Sequence, residues 1–357
     1  MNKRQALKAV AFVLIFLFLL RSVTYMLRTN GTIKEIFVGF YAEPKDTIDV
    51  IMIGSSPVYP YYIAPKIWGE HGITCYPLST NQQRPRAAVY LVEEALKTQS
   101  PGLFIFELRQ YAYEESMMTE NMAYTRGVTD NLKYSLNRIN LINDMVPEVS
   151  ERYTYYFDIF KYHSNWKTII LPDQYTSFLY ERKHPLKGFE LNTDVVAGEG
   201  KDYSRLAGTM QIPAEQEEML CRLLEYLKEN DLNALFLVSP MKMDEEMQKK
   251  YNYMEEIIVQ YGYRYLNLND YYEELGLDFA TDFYDGGGHT NILGAQKCTE
   301  FLGHYLAEYY NFEDKRGDEK YDSWQTAYEY WQECCKEGME IVEGNIEGAQ
   351  KDEEGKE

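Results

Sequence analysis

Short, nearly continuous runs of apolar residues recur along the chain, and each run is followed by a turn. Runs of this length without polar alternation are typical of strands that are buried on both faces of a parallel sheet. The predicted strands cover residues 48–54, 73–78, 103–108, 234–238 and 263–268.

Between these strands, apolar residues return at intervals of three and four, which is the spacing of one helix face. The stripes consist of Ala88, Leu91, Val92, Ala95 and Leu96; of Leu220, Leu223, Leu224 and Leu227; and of Cys298, Phe301, Leu302, Tyr305 and Leu306. Strands that alternate with helices predict an α/β fold, in which a central parallel sheet is covered by helices on both faces.

Two segments break this rhythm. Residues 110–212 are rich in Tyr and Asn and carry only short helical patterns, so we expect an insertion over the carboxyl edge of the sheet. Residues 312–357 form an acidic tail, of which about the last fifteen residues are expected to be disordered. Within the tail, four aromatic residues have the spacing of one face of an amphipathic helix: Tyr321, Trp324, Tyr328 and Trp331.

The N-terminus carries a targeting pattern, because Lys3, Arg4 and Lys8 precede an apolar run over residues 9–20. This run is short for a membrane span and has the length of a signal-peptide core. No A-x-A-like cleavage site follows it, so we favour an uncleaved anchor over residues 1–28 to a cleaved signal peptide. The positive charges keep the N-terminus in the cytoplasm and predict a single-pass cell-membrane protein with its domain on the other side.

These patterns divide the chain into an anchor, a connector over residues 29–47, an α/β domain over residues 48–311 that includes the insertion, and the tail. The formal net charge is −20, and an acidic chain cannot wrap DNA or RNA, because phosphate binding needs a basic surface. Five cysteines without a CxxC pair argue against a disulfide framework and a zinc site. We therefore predict no nucleic-acid partner, no metal and no cofactor.

The first predicted strand ends in Gly54-Ser55-Ser56-Pro57. Ligands of open parallel sheets bind at the carboxyl ends of the strands, so a serine at this place points its hydroxyl into a crevice. Gly54 permits the sharp turn that such a serine needs. The alternative is a turn whose hydroxyl only caps the next helix.

A glycine-rich loop with a histidine follows the last predicted strand and reads Thr281-Asp-Phe-Tyr-Asp-Gly-Gly-Gly-His289-Thr-Asn291. An acid shortly before a histidine suits a base whose ring is oriented by a carboxylate. Asp285 is the first candidate for that carboxylate, and Asp282 is the second. The alternative is a surface loop with an incidental histidine.

A serine after the first strand, together with an Asp-His loop after the last strand, resembles the SGNH (GDSL-like) hydrolase family. In that family the nucleophile lies in a Gly-Asp-Ser-type turn, and the Asp and His lie close together as Asp-x-x-His. The resemblance covers roughly residues 48–310. It implies a flavodoxin-like three-layer α/β/α fold, with Ser56 as the nucleophile, His289 as the base and Asp285 as its partner.

Other stretches resemble a membrane-anchored bacterial branch, which includes the D-alanyl transfer protein of teichoic acids and alginate O-acetylation proteins. These stretches are residues 126–135, 162–166 and 184–189. The resemblance implies an extracytoplasmic serine acyl-esterase or O-acyltransferase. The implied partners are a cell-surface glycan or glycopolymer substrate, membrane lipid around the N-terminal helix and a membrane O-acyltransferase.

The chain departs from the family pattern in three places. Asp285 is separated from His289 by three glycines instead of two residues. The oxyanion glycine after the second strand is missing, and backbone N–H groups or the amide of Asn81 could replace it. The oxyanion Asn after the third strand is also missing, and Arg109 or Gln110 could donate instead, unless Arg109 is a salt-bridged residue at the strand end. These departures favour a rival hypothesis, an inactive glycan-binding or scaffold protein that assists a membrane O-acyltransferase.

Overall fold

The computed structural model describes residues 2–28, 31–167, 179–204 and 206–354, and these residues contain one sheet of five parallel strands. In chain order the strands are β1 Val50–Gly54, β2 Cys75–Ser79, β3 Leu103–Glu107, β4 Ala234–Val238 and β5 Arg264–Asn267. They lie in the order β2-β1-β3-β4-β5, which is the flavodoxin-like order. Each predicted strand overlaps an observed one, and the predicted α/β fold is confirmed.

Helices flank the sheet, and further helices belong to the N-terminus and to the insertion. In chain order the helices are α1 Lys3–Leu27, α2 Thr32–Ala42, α3 Ala64–His71, α4 Ala88–Leu96, α5 Glu115–Thr119, α6 Met122–Thr129, α7 Leu136–Met145, α8 Tyr153–Tyr156, α9 Ile159–Tyr162, α10 Ala214–Glu229, α11 Glu245–Gln260, α12 Tyr272–Leu275, α13 Ile292–Tyr309 and α14 Asp322–Glu354. The three predicted stripes lie on α4, α10 and α13, and most of their apolar residues are buried. Side-chain oxygens of Asp244 and Asn291 cap the first turns of α11 and α13.

Helix α1 is the one helix among the described residues that is long and apolar enough to cross a membrane. Its 25 residues span about 37 Å, at 1.5 Å per residue. By length and composition it could serve as a membrane anchor or as a signal sequence. Its middle is exposed, with Phe12 at 70 % and Ile15 at 60 %, whereas Tyr25 and Leu27 near its end are buried against the domain.

The segment expected to be a connector, residues 29–47, contains helix α2, which packs on β2. Its residues Ile36, Phe37 and Phe40 are buried in the main core. The expectation of a connector is therefore wrong in this part. One short helix with three residues in the main core completes the domain, but it is too brief to stand out as a pattern.

The insertion contacts loops at the carboxyl edge of the sheet. Helices α5 to α9 belong to it, and its described residues contain no strand. The Glu190 N–H donates to the carbonyl of Tyr59, beyond the end of β1, at 3.0 Å. The Val196 N–H donates to the carbonyl of Phe283, in the loop before α13, also at 3.0 Å. The insertion therefore contacts two of the loops that follow the strands.

The acidic tail packs on the domain through the predicted aromatic residues. Trp324 and Trp331 are buried, and the Trp324 ring lies 6.2 Å from that of Trp68 on α3. The tail helix is 33 residues long and ends at Glu354. Most of the stretch expected to be disordered is therefore helical, because a buried aromatic face nucleates a helix that charged residues can continue.

Candidate active site

Ser55 and Ser56 follow β1 at the carboxyl edge of the sheet, where the strand order reverses between β1 and β3. Crevices at such reversal points bind ligands in open α/β sheets. A Cβ atom on Gly54 would lie 2.6 Å from the Cβ of Glu107, so only glycine fits where the turn leaves the strand. Ser55 is buried and accepts a hydrogen bond from Gln110 Nε2 at 3.1 Å, whereas Ser56 is only half-buried.

The structure brings Ser56, His289 and Asp285 into one hydrogen-bonded row. The Ser56 Oγ lies 2.7 Å from the His289 Nε2. On the other side of the ring, the His289 Nδ1 lies 2.6 Å from the Asp285 Oδ2. A carboxylate at Nδ1 keeps the proton on that nitrogen and leaves Nε2 able to accept a proton from serine. This is the geometry of a nucleophile, a general base and its orienting acid.

The loop between Asp285 and His289 closes on itself. The Asp285 Oδ1 accepts the N–H groups of Gly288 at 2.8 Å and of His289 at 2.7 Å. Gly286 and Gly287 have φ angles of +79° and +116°, in the left-handed region that favours glycine. The three glycines therefore allow a carboxylate four residues before the histidine to reach its ring.

Electrostatics favour the charged form of Asp285. Its partial burial acts to raise its pKa, but the hydrogen bonds from the His289 ring and from the loop N–H groups outweigh burial, and the pKa lies below its ordinary value. The ring of Tyr284 stacks on the His289 ring, with 5.6 Å between centroids and 13° between planes. The imidazole is thus held by a carboxylate at one nitrogen and by an aromatic face.

Asp282, the second candidate for the acid, lies elsewhere. It is fully buried, and its Oδ2 accepts from Lys297 Nζ on α13 at 2.6 Å and from the Asp278 N–H at 2.8 Å. Asp282 therefore fixes the start of the loop to the following helix and does not contact His289.

Arg109 contacts the loop backbone. Its Nη1 donates to the Gly288 carbonyl oxygen at 2.7 Å, and its Nη2 lies 3.2 Å from the Tyr61 hydroxyl, which is itself 2.7 Å from the same carbonyl. The side chain expected to be an oxyanion donor or a salt-bridged residue is instead a buried clamp on the residue before His289. Tyr61 was not singled out from the sequence, and its only signal was its place in the tyrosine-rich turn after the serines.

Gln110 and Asn81, the other two candidate oxyanion donors, make contacts that the sequence did not predict. The Gln110 amide donates to Ser55 and not to Ser56, so this residue supports the turn from inside the domain. Asn81 is exposed just beyond β2, and its Oδ1 accepts a hydrogen bond from the Tyr59 hydroxyl. Of the three side chains expected to bind an oxyanion, only Asn81 therefore lies on the open side of the carboxyl edge.

A cavity of about 540 Å³ opens beside Tyr59 and Asn81 and extends to the end of α1. It carries charges of both signs, from Arg28, Lys34, Arg126, Asp130, Lys161 and Glu190. Burial and, after it, the charge of Arg28 lower the pKa of Lys34 to about 7. This polar cavity lies between Asn81, beside the candidate active site, and Arg28 at the end of α1.

Within the described residues, no group of three or more His, Cys, Asp or Glu side chains is placed to hold a metal ion. Comparison of the chain with protein-family models, with curated proteins and with solved structures gives no match.

Proposed function

We propose that this protein is a membrane-anchored serine acyl-esterase or O-acyltransferase of the SGNH type that acts outside the cytoplasm. The proposal depends on one observation, the row of hydrogen bonds from Ser56 Oγ through His289 to Asp285. Its place at the reversal of strand order supports the proposal, because this is where an open parallel sheet binds ligands.

In the first half of the reaction, His289 Nε2 takes the proton of Ser56, and Ser56 Oγ attacks the carbonyl carbon of an acyl ester. The negative charge that develops on the carbonyl oxygen is met by the Ser56 backbone N–H and the Asn81 amide. The leaving alcohol departs with the proton from His289, and the acyl group remains on Ser56.

In the second half, a hydroxyl compound gives its proton to His289 Nε2 and attacks the acyl-serine carbonyl carbon. Water as the attacking group gives hydrolysis, and a sugar hydroxyl gives acyl transfer. Ser56 recovers its proton from His289 when the acyl group leaves. Asp285 stays ionised throughout and stabilises the imidazolium that forms in each half.

We assign cell-surface polysaccharide or teichoic acid as the substrate class. Three features support this assignment: the resemblance to envelope acyl-transfer proteins, the apolar helix α1 and the polar cavity beside Asn81. A membrane O-acyltransferase that supplies acyl groups is the natural partner of such an enzyme.

An inactive glycan-binding or scaffold protein is the second candidate. The observation that favours it is the engagement of Arg109 and Gln110 in contacts inside the domain. Both side chains are thereby unavailable to an oxyanion, and losing one such donor typically costs about 3 kcal/mol of transition-state stabilisation.

Covalent labelling separates the two candidates. A fluorophosphonate probe reacts only with a serine that a base activates, so we expect it to label the full-length protein in detergent. Labelling and hydrolysis of a chromogenic acetyl ester should both be lost in Ser56→Ala.

Ser55→Ala is the matched control, because it removes the neighbouring, buried hydroxyl. This variant should still be labelled. If the wild-type protein resists the probe while it remains folded, the scaffold function is favoured over the enzyme.

A further inference from the structure

Four aromatic side chains of the insertion are exposed on its short helices and the turn that follows. Tyr153 is 52 % exposed, Phe157 55 %, Phe160 57 % and Trp166 68 %. The Phe160 ring lies 5.3 Å from that of Tyr153 and 6.5 Å from that of Phe157, so three of the four form one patch. We call these four residues the aromatic collar. An apolar surface of this kind on a folded domain marks an interaction site.

The collar lies beside the end of the apolar helix α1. Helix α9 and the 3₁₀ turn His163–Lys167, which carry Phe160 and Trp166, both contact α1. In that turn, Asn165 Nδ2 donates to the carbonyl of Leu27, the last residue of α1, at 3.0 Å. The exposed apolar surface of α1 is therefore continued sideways by the aromatic surface of the collar.

The junction between α1 and the collar is built into the domain. Arg28 follows α1 directly, and its Nε donates to Asp158 Oδ2 at 2.8 Å. Both side chains are at least 96 % buried, and Asp158 also accepts from Arg138 at 3.0 Å. Cleavage before Arg28 would remove the buried last turn of α1 and expose this cluster, which supports a helix that is retained and not cleaved.

We infer that the aromatic collar is inserted in the head-group region of the lipid bilayer that α1 crosses. Aromatic side chains are enriched at this depth, and amphipathic segments with apolar and basic residues lie in the plane of the interface. Lys161 and Lys167 are exposed in the same segment and can reach the lipid phosphates although the whole chain is acidic. Continuity with α1 favours lipid over a protein as the occupant of this surface.

The collar sets the orientation of the domain. It holds the domain against the bilayer beside the cavity, which is lined by both Lys161 of the collar segment and Asn81 of the candidate site. The carboxyl edge of the sheet then faces the region of the lipid head groups. This inference rests on the proposed membrane attachment but not on the proposed chemistry.

The protein contains a natural probe for this contact. Of its four tryptophans, Trp68, Trp324 and Trp331 are buried, and only Trp166 is exposed. The full-length protein is reconstituted in phosphatidylcholine vesicles and, in parallel, in vesicles of phosphatidylcholine brominated on its acyl chains. Bromine quenches tryptophan emission only at short range, so we expect brominated lipid to quench part of the emission and Trp166→Phe to abolish that part.

The matched control moves the exposed tryptophan to the opposite edge of the sheet. Tyr309, at the far end of the 18-residue helix α13, is 47 % exposed. The double variant Trp166→Phe, Tyr309→Trp should show no quenching by brominated lipid. The inference is overturned if Trp166 is not quenched, if Trp166→Phe keeps the quenched fraction, or if the double variant is quenched as strongly as the wild type.

Two further measurements keep the proposals apart. Alkaline carbonate extraction followed by flotation of the vesicles tests the insertion of α1, independently of the collar. Protection of Trp166 from aqueous iodide without quenching by brominated lipid would identify a protein contact and overturn the bilayer as the occupant. Ser56→Ala should be quenched like the wild type, so failure of the proposed chemistry leaves this result unchanged.

Discussion

Asp285 serves the candidate site with both of its carboxylate oxygens. Oδ2 contacts the His289 ring, and Oδ1 accepts the backbone N–H groups of Gly288 and His289. One side chain therefore fixes both the imidazole and the loop that carries it. The spacing between acid and base is one residue longer than in the family that the chain resembles. Because the loop closes on itself, Asp285 still reaches the His289 ring.

Replacing Asp285 and Asp282 in turn should separate the orientation of the His289 ring from the stability of the fold. We expect Asp285→Asn to lower kcat by on the order of 10³-fold or more, because an amide cannot hold the proton on Nδ1 of His289. Hydrolysis of a chromogenic ester and the rate of fluorophosphonate labelling measure the effect. Asp282→Asn should instead lower stability, by about 1 to 3 kcal/mol, because it weakens the hydrogen bond from the partly exposed Lys297 to a buried carboxylate. Equal losses of activity per folded molecule in the two variants would contradict the assignment.

Some residues of the site could be predicted from the sequence because their roles follow from their positions after the strands. Ser56 follows a strand and His289 lies in a loop after another, and parallel strands bring those places to one edge. Arg109 and Gln110 also follow a strand, but the direction of their side chains depends on packing against distant residues. Their predicted role as oxyanion donors stays a prediction, and the contacts that they make with Gly288 and Ser55 could not be foreseen.

At the scale of elements, strand β3 ends in a buried acid. Glu107 is only 3 % exposed, and its Oε2 lies among the buried atoms that have no hydrogen-bond partner in the described part of the chain. Burial raises its pKa to about 7, against the opposing effect of the Arg109 charge. The strand therefore ends in a carboxyl group that titrates near neutral pH.

This strand end should give the protein a characteristic stability curve. Because the pKa of Glu107 is raised on folding, its contribution is fully present below about pH 4.5 and is lost as the pH rises to about 7. The quantity to follow is the unfolding free energy of the wild type minus that of Glu107→Gln. We expect this difference to fall by on the order of 1 to 3 kcal/mol over this pH range. Thermal or denaturant unfolding in detergent at several pH values measures it. A difference that does not change with pH would contradict the buried, titrating carboxyl.

The elements differ in how well the sequence predicted them. The strands are continuous apolar runs, so their places were found within a few residues. Helix α2 and the length of α14 were missed for a physical reason: each is stabilised by a few buried aromatic or aliphatic residues that contact other parts of the chain. Such tertiary contacts add helix that local pattern does not require.

At the scale of the whole molecule, the apolar helix α1 and the domain share a buried charge cluster. Arg28 lies at the end of α1, Asp158 precedes α9 and Arg138 belongs to α7, and the aspartate binds both arginines. Burial acts to lower the pKa of Arg28, but the charge of Asp158 raises it above its ordinary value. The cluster joins the end of α1 directly to the insertion.

Breaking this join should destabilise the full-length protein. Arg28→Met leaves Asp158 with one of its two buried arginine partners, and we expect a loss of about 1.5 to 3 kcal/mol. Lys45→Met is the control, because it removes only an exposed pair with Asp46 and should change stability by less than about 1 kcal/mol. Thermal unfolding in detergent measures both variants. Similar melting temperatures for the two would show that the cluster does not stabilise the join.

The buried junction between α1 and the domain, formed by Arg28 and Asp158, limits where the proposed enzyme can work. An enzyme on a long flexible tether sweeps a large volume, but in the proposed membrane-anchored enzyme the nucleophile stays at a fixed height above the bilayer. Sugar units far out along a surface polymer would be beyond its reach unless the polymer slides past the active site. Modification would then be densest on the units nearest the lipid or on chains still being extended, and the position of acyl groups along a polymer would report the height of the active site.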